Sequence, residues 1–178
     1  MTGVQTCALP ICLKDRLKVI LAIDNGGWSM DPYIPMVQTL FNYARAQFKE
    51  IKTFFFHNTV YDYMYEDPAR YKKPRRVSDM TRLDPETRLI MVGDASMAPY
   101  ELMTADGSIH IEERSGRSSI EQLKFLSDTF PHSVWLNPVP ERMWRYTQTI
   151  SMIRRVFPMF ELSIDGLEGA VARLMEKF

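Results

Sequence analysis

Apolar and polar positions divide the chain into strands and helices in regular turn. Leu17-Lys18-Val19-Ile20-Leu21-Ala22-Ile23 is almost unbroken in its apolar character. Such a run predicts a strand covered on both faces, as in parallel sheets. It ends at Asp24-Asn25-Gly26-Gly27-Trp28-Ser29-Met30, and Asp31-Pro32 then reads as an N-cap followed by proline at the first helical position. Met36, Val37, Leu40, Phe41, Ala44 and Phe48 recur at helical spacing, so a helix is expected from Pro32 to Phe48. A second buried strand follows over residues 51–57. Strand, helix and strand make a right-handed parallel unit.

Residues 60–65 alternate and follow the second strand after only Asn58-Thr59, which predicts an antiparallel hairpin and an edge strand. Residues 66–76 are polar, broken by proline and basic at Arg70, Lys72, Lys73, Arg75 and Arg76, the pattern of a mobile surface loop. Residues 87–94 repeat the opening theme, a buried strand that ends in a carboxylate, Asp94. A short helix interrupted near Pro99 is expected over residues 95–103, and a polar loop with a small hairpin at residues 108–111 over residues 104–117. Further helices are expected at residues 118–130, 141–157 and 167–178, with strands at 133–137 and 159–163.

This alternation predicts a three-layer, doubly wound α/β fold with a mostly parallel sheet and an antiparallel edge strand. The strand at residues 17–23 should be central, flanked by residues 51–57 on one side and 88–93 on the other. Asp24 and Asp94 would then share the crevice at the carboxyl ends of adjacent strands, where open α/β sheets take their ligands.

Composition changes this picture little. A length of 178 residues suits one domain, and 46% hydrophobic with 25% charged residues is ordinary for a globular chain. Lysine plus arginine and aspartate plus glutamate number 22 each, so no global charge draws the chain to nucleic acid or an anionic membrane. The basic stretch at residues 66–76 lacks the aromatic interleaving of a nucleic-acid groove. No apolar run approaches the roughly 18–20 residues of a membrane span, and a cytoplasmic protein is expected.

Residues 1–12 stand apart. Thr2-Gly3-Val4-Gln5-Thr6-Cys7-Ala8-Leu9-Pro10-Ile11 resembles the translation of a sequencing adaptor. On that reading the domain spans residues 13–178 and natural sequence is missing before it. Cys7 and Cys12 both fall in this stretch, so the domain itself has no cysteine for thiolate ligation, disulfides or nucleophilic catalysis.

A carboxylate beside a hydroxyl and bare glycine backbone, as at Asp24, Gly26, Gly27 and Ser29, suits a hard cation; Asp24 as a cap for the next helix is the simpler alternative. The run Asp24-x-Gly-Gly-x-Ser29-Met30, with Val92-Gly93-Asp94-Ala95-Ser96-Met97-Ala98-Pro99-Tyr100 and Val134-Trp135-Leu136-Asn137-Pro138, resembles the von Willebrand factor A superfamily. The similarity is strongest to its bacterial CoxE-like branch and covers nearly all of residues 17–178. That resemblance implies a metal-ion-dependent adhesion site of the pattern Asp-x-Ser-x-Ser, with a threonine from a second loop and an aspartate from a third.

Carried over position by position, Asp24 matches the leading aspartate, Ser29 the last serine and Asp94 the third-loop aspartate. Thr81 is taken as the second-loop hydroxyl, with Ser78 and Thr59 as alternatives. Glycine replaces the first serine, and Trp28 lengthens the loop by one residue. The implied cofactor is Mg²⁺ or Mn²⁺. The implied role is non-enzymatic: an adaptor that binds a protein partner, a MoxR-type AAA+ ATPase, in maturing or assembling a target complex.

The competing expectation is a Mg²⁺-dependent phosphohydrolase with Asp24 as nucleophile. Such enzymes place a second acid two residues on, where this chain has Gly26. His57 reads as a strand-end residue, and His110 and His132 lack the spaced partners of a zinc site.

Overall fold

The computed structural model describes residues 17–48 and 50–176. The stretch read as an adaptor, residues 1–12, and the last two positions of the expected closing helix lie outside them. The apolar run at the start forms β1 (Lys18–Asp24). On one side it pairs in parallel with β2 (Glu50–Phe56), on the other with β5 (Arg88–Val92). Between these come β3 (Tyr63–Tyr65) and β4 (Pro74–Arg76), and after them β6 (Ser133–Asn137) and β7 (Met159–Glu161). The seven strands run in the order β4-β3-β2-β1-β5-β6-β7. β3 and β4 are antiparallel and all other pairings are parallel.

Both faces of the sheet are covered, which is why β1 and β5 are apolar throughout. Ile20 and Ala22 face a layer made by α2 (Pro99–Met103), α3 (Ser119–Thr129), α4 (Glu141–Trp144) and α5 (Gln148–Ile153). That layer contributes Leu102, Leu123, Leu126, Trp144, Ile150 and Ile153 to the core. Val19, Leu21 and Ile23 face the other layer, α1 (Ile34–Gln47) and α6 (Ile164–Leu174), through Val37, Leu40, Ala170 and Leu174. The architecture is a Rossmann-like three-layer α/β fold, and the expected central strand and its two neighbours are in place.

Several local expectations are corrected. The segment at residues 60–65 is strand only from Tyr63, because the chain first turns tightly at Asn58, whose φ is 58°, and buries Val60 and Tyr61. It is not the edge. The edge is β4, inside the stretch read as a mobile loop, and its three residues are all exposed. Their pairing is carried by backbone, so no apolar alternation marked it.

The expected hairpin at residues 108–111 is instead a 3₁₀ turn, Ile111–Glu113, pinned because the buried Ser108 hydroxyl donates to Glu113 Oε2 at 2.9 Å. The expected long helix at residues 141–157 is two short ones, α4 and α5. Thr147 is extended between them, and Trp144 Nε1 donates to the Val139 carbonyl at 2.7 Å. Asp31 caps nothing; with Pro32 it opens a 3₁₀ turn, Asp31–Tyr33, ahead of α1. Pro99 starts α2 rather than interrupting a helix. The closing helix begins earlier than expected, where Ser163 accepts the Gly166 N–H at 3.1 Å. The side chains of Phe41 and Ala44, expected on the apolar face of α1, lie outside those described.

Candidate functional site

β1 and β5 end side by side, with Ile23 level with Val92. The residues that follow bring two carboxylates to one edge. Asp24 is buried, at 2% exposure, and its Oδ1 accepts the Gly26 N–H at 3.0 Å and the Asn58 N–H at 3.1 Å. Its Oδ2 is also buried, yet no group among the described residues donates to it. A Cβ built on Gly93 would lie 3.5 Å from that oxygen, so the absence of a side chain at Gly93 leaves Asp24 open toward β5. Burial lifts the Asp24 carboxyl to about 7, and the negative charge of Asp94 adds to the rise against the two backbone N–H donors.

Asp94 is buried too, and its Oδ1 accepts the Ser96 N–H at 3.0 Å. The backbone around it is held from three directions. Trp135 Nε1 donates to the Gly93 carbonyl at 2.8 Å, Asn137 Nδ2 to the Asp94 carbonyl at 3.0 Å, and the Thr149 hydroxyl to the Ala95 carbonyl at 2.7 Å. Ala95 is in the left-handed region, with φ of 56°. Three successive carbonyls capped by buried side chains hold that conformation against its cost of roughly 1–2 kcal/mol.

The other expected ligands divide. Ser29 is exposed in the Asp24 loop, beside Trp28, which is 88% exposed. Thr81 is elsewhere. It lies in the 3₁₀ turn Val77–Arg82, its hydroxyl donates to the Ser78 carbonyl at 3.0 Å, and the adjoining Arg82 lines a cleft with Lys18 and Asp84 at the amino end of β1. That is the far end of the strand from Asp24, so Thr81 does not join the carboxylates, and Ser78 in the same turn does not either. Thr59 is at the right edge, one residue past Asn58, but it is buried and its hydroxyl shares a hydrogen bond with Ser119.

The sequence reading missed a second tier. Asn58 links Asp24 to Glu101, since its side-chain N–H donates to Glu101 Oε2 at 3.2 Å while its backbone N–H holds Asp24. Glu101 also accepts the Tyr61 hydroxyl at 3.1 Å, and burial with this carboxylate pushes that hydroxyl well above the usual tyrosine range. The Arg70 guanidinium donates to Asn25 Oδ1, and Asn25 Nδ2 donates to the Pro68 carbonyl at 2.6 Å. The basic stretch is therefore tied over the Asp24 loop. Burial, with the positive charges of Arg70 and His110, holds the His57 imidazole below its ordinary value.

Among the described residues no group of three or more His, Cys, Asp and Glu side chains is arranged to hold a metal ion. A cation at this edge would therefore rest on two carboxylates, with hydroxyl and water oxygens completing the shell. That donor set is the one Mg²⁺ takes, since it binds hard oxygens and keeps several waters. No helix among the described residues is long and apolar enough to cross a membrane. No protein-family model matches the chain, and a search of curated proteins finds no match.

Proposed function

We propose that this chain is a non-enzymatic, metal-dependent protein-interaction domain of the von Willebrand factor A type. Its partner would be a AAA+ ATPase of the MoxR type, engaged during assembly or maturation of a target complex in the cytoplasm. One observation carries the reading: Asp24, buried with a free Oδ2, beside a second buried carboxylate, Asp94, on the neighbouring strand. Two such groups raise each other's cost of ionisation, and a divalent cation between them removes that cost.

Asp24, Asp94 and Ser29 would hold the ion, which supplies an electrophilic position open to a partner's carboxylate. Asn58 and Gly26 orient Asp24, and Asn137 orients the Asp94 backbone. With Thr81 at the other end of β1, one hydroxyl of the family pattern is lost here, and glycine at residue 26 has already removed another. The shell is left with more water and more open positions.

The test is thermal unfolding with and without Mg²⁺ or Mn²⁺. Native-state binding should raise stability by about 2.7 kcal/mol at a hundredfold excess over Kd, and Asp24→Ala should abolish the rise. A folded protein whose unfolding ignores millimolar metal sinks the reading. Metal-dependent turnover of a phosphate ester that is lost in Asp24→Asn would favour the phosphohydrolase instead.

A further inference from the structure

The sheet edge that carries the two carboxylates continues into a cavity on the side of α1. It has a volume of about 540 Å³ and lies between α1 and the carboxyl ends of β1 and β2. Ile23, Met30, Ile34, Val37 and Phe55 give it apolar walls. The opening has a simple origin: α1 seats Val37 and Leu40 over β1, while Phe55 on β2 is only partly covered. Gln38 and Asn42 stand on the rim, one helical turn apart. Each carboxamide offers both a donor and an acceptor, the pair that a peptide group needs.

Asp24 lines this cavity as well as the Gly93 side of the edge. The loop that joins Asp24 to Met30, both of them wall residues, displays Trp28 almost fully to solvent. Exposed tryptophan at the rim of an apolar pocket is the composition of a binding hot spot.

We infer that the cavity reads a bulky apolar side chain of the same partner, so that the recognised segment carries an acidic residue and, close to it in sequence, a Leu, Met or Phe. The acid meets the Asp24 and Asp94 edge, the apolar side chain enters between Ile34, Val37 and Phe55, and Gln38 and Asn42 take the peptide groups beside it. This rests on the metal-edge reading for its acidic half. The volume is within the roughly 300–1,000 Å³ of ligand pockets, room for one large side chain with its flanking backbone. A continuous polar rim on an apolar floor favours a peptide over a purely greasy ligand.

Random peptides displayed on phage and panned on the full chain test this, in Mg²⁺ and in chelator. The variant Ile34→Trp fills the mouth without touching Asp24, Ser29 or Asp94, and Val37→Phe fills it from within should the first fold poorly. Wild type in Mg²⁺ should enrich an acidic residue with an apolar one at fixed short spacing. Either filled variant should keep the acid, lose the apolar preference and bind the best synthetic peptide at least about tenfold more weakly, a change of about 1.4 kcal/mol.

An apolar preference that survives in a folded filled variant overturns the inference. Enrichment of 1-anilinonaphthalene-8-sulfonate in the cavity, with no peptide selected, assigns it to small apolar ligands and also overturns it. An acidic preference that is indifferent to chelator overturns the metal-edge reading instead. That outcome is separate, because the effect of Ile34→Trp is read on the apolar position alone.

Discussion

The ring of His57 occupies the space that a side chain on Gly26 would need. A Cβ built on Gly26 would lie 1.9 Å from His57 Cδ2 and 2.6 Å from His57 Cβ. The glycine thus lets the end of β2 close against the Asp24 loop, and its own N–H reaches Asp24 Oδ1. Gly26→Ala should therefore cost about 1–3 kcal/mol, the usual range for overpacking.

The partner substitution separates steric from conformational cost. Gly26→Ala with His57→Ala should recover only part of the loss, because the histidine Cβ position is itself in the way, whereas His57→Gly should recover more. Urea denaturation of the four proteins gives the coupling energy, expected at about 0.5–3 kcal/mol for residues in contact. Strict additivity would show that the contact does not set the loop.

Asp24 predicts a pH dependence with a definite sign. Its ordinary value of 3.8 rises to about 7 on folding, chiefly through burial. Between those values the unfolded chain has released the proton and the folded one still holds it. Stability therefore falls as pH rises through this window and levels off above about 7. His57, held below its ordinary value, pulls the other way in the acid half, so the informative quantity is the difference from Asp24→Asn. In metal-free buffer the variant should gain on wild type steadily from about pH 4 to about pH 7. Saturating Mg²⁺ should shrink that gain, since it favours the ionised wild-type site. A constant difference across the range would mean that Asp24 ionises normally in the fold.

The apolar runs made the central sheet legible because β1 and β5 are covered on both faces and have no polar side to blur them. Asp24 and Asp94 could be placed for the same reason: each closes such a run, and adjacent parallel strands bring their ends together. What escaped is built from backbone or from long-range polar contacts. β4 is three exposed residues with no apolar signal. Arg70 reaches Asn25 across 45 positions and Asn58 reaches Glu101 across 43, and neither spacing has a local signature. Thr81 was placed by motif order alone, and motif order does not say at which end of a strand a preceding turn lies.

The last prediction separates the two kinds of support under Asp94. Asn137 is fully buried; its Nδ2 donates to the Asp94 carbonyl and its Oδ1 accepts the Val139 N–H at 2.8 Å. Asn137→Ala strands both partners, and an unmet buried polar group costs about 1–3 kcal/mol. The loss should be measurable by urea denaturation and should weaken divalent-cation affinity with it, because the Asp94 loop loses its central tie. Ala95→Gly acts on the same loop with opposing terms. Glycine relieves the left-handed strain of roughly 1–2 kcal/mol. It also gives up a buried methyl, worth about 0.8 kcal/mol, and frees the unfolded chain at a cost of about 0.5–1 kcal/mol. These nearly cancel, so Ala95→Gly should stay within about 0.5 kcal/mol of wild type, as a neutral substitution does. If Asn137→Ala proved as mild as Ala95→Gly, the side-chain ties would not be what holds Asp94 at the edge, and its position would have to come from β5 alone.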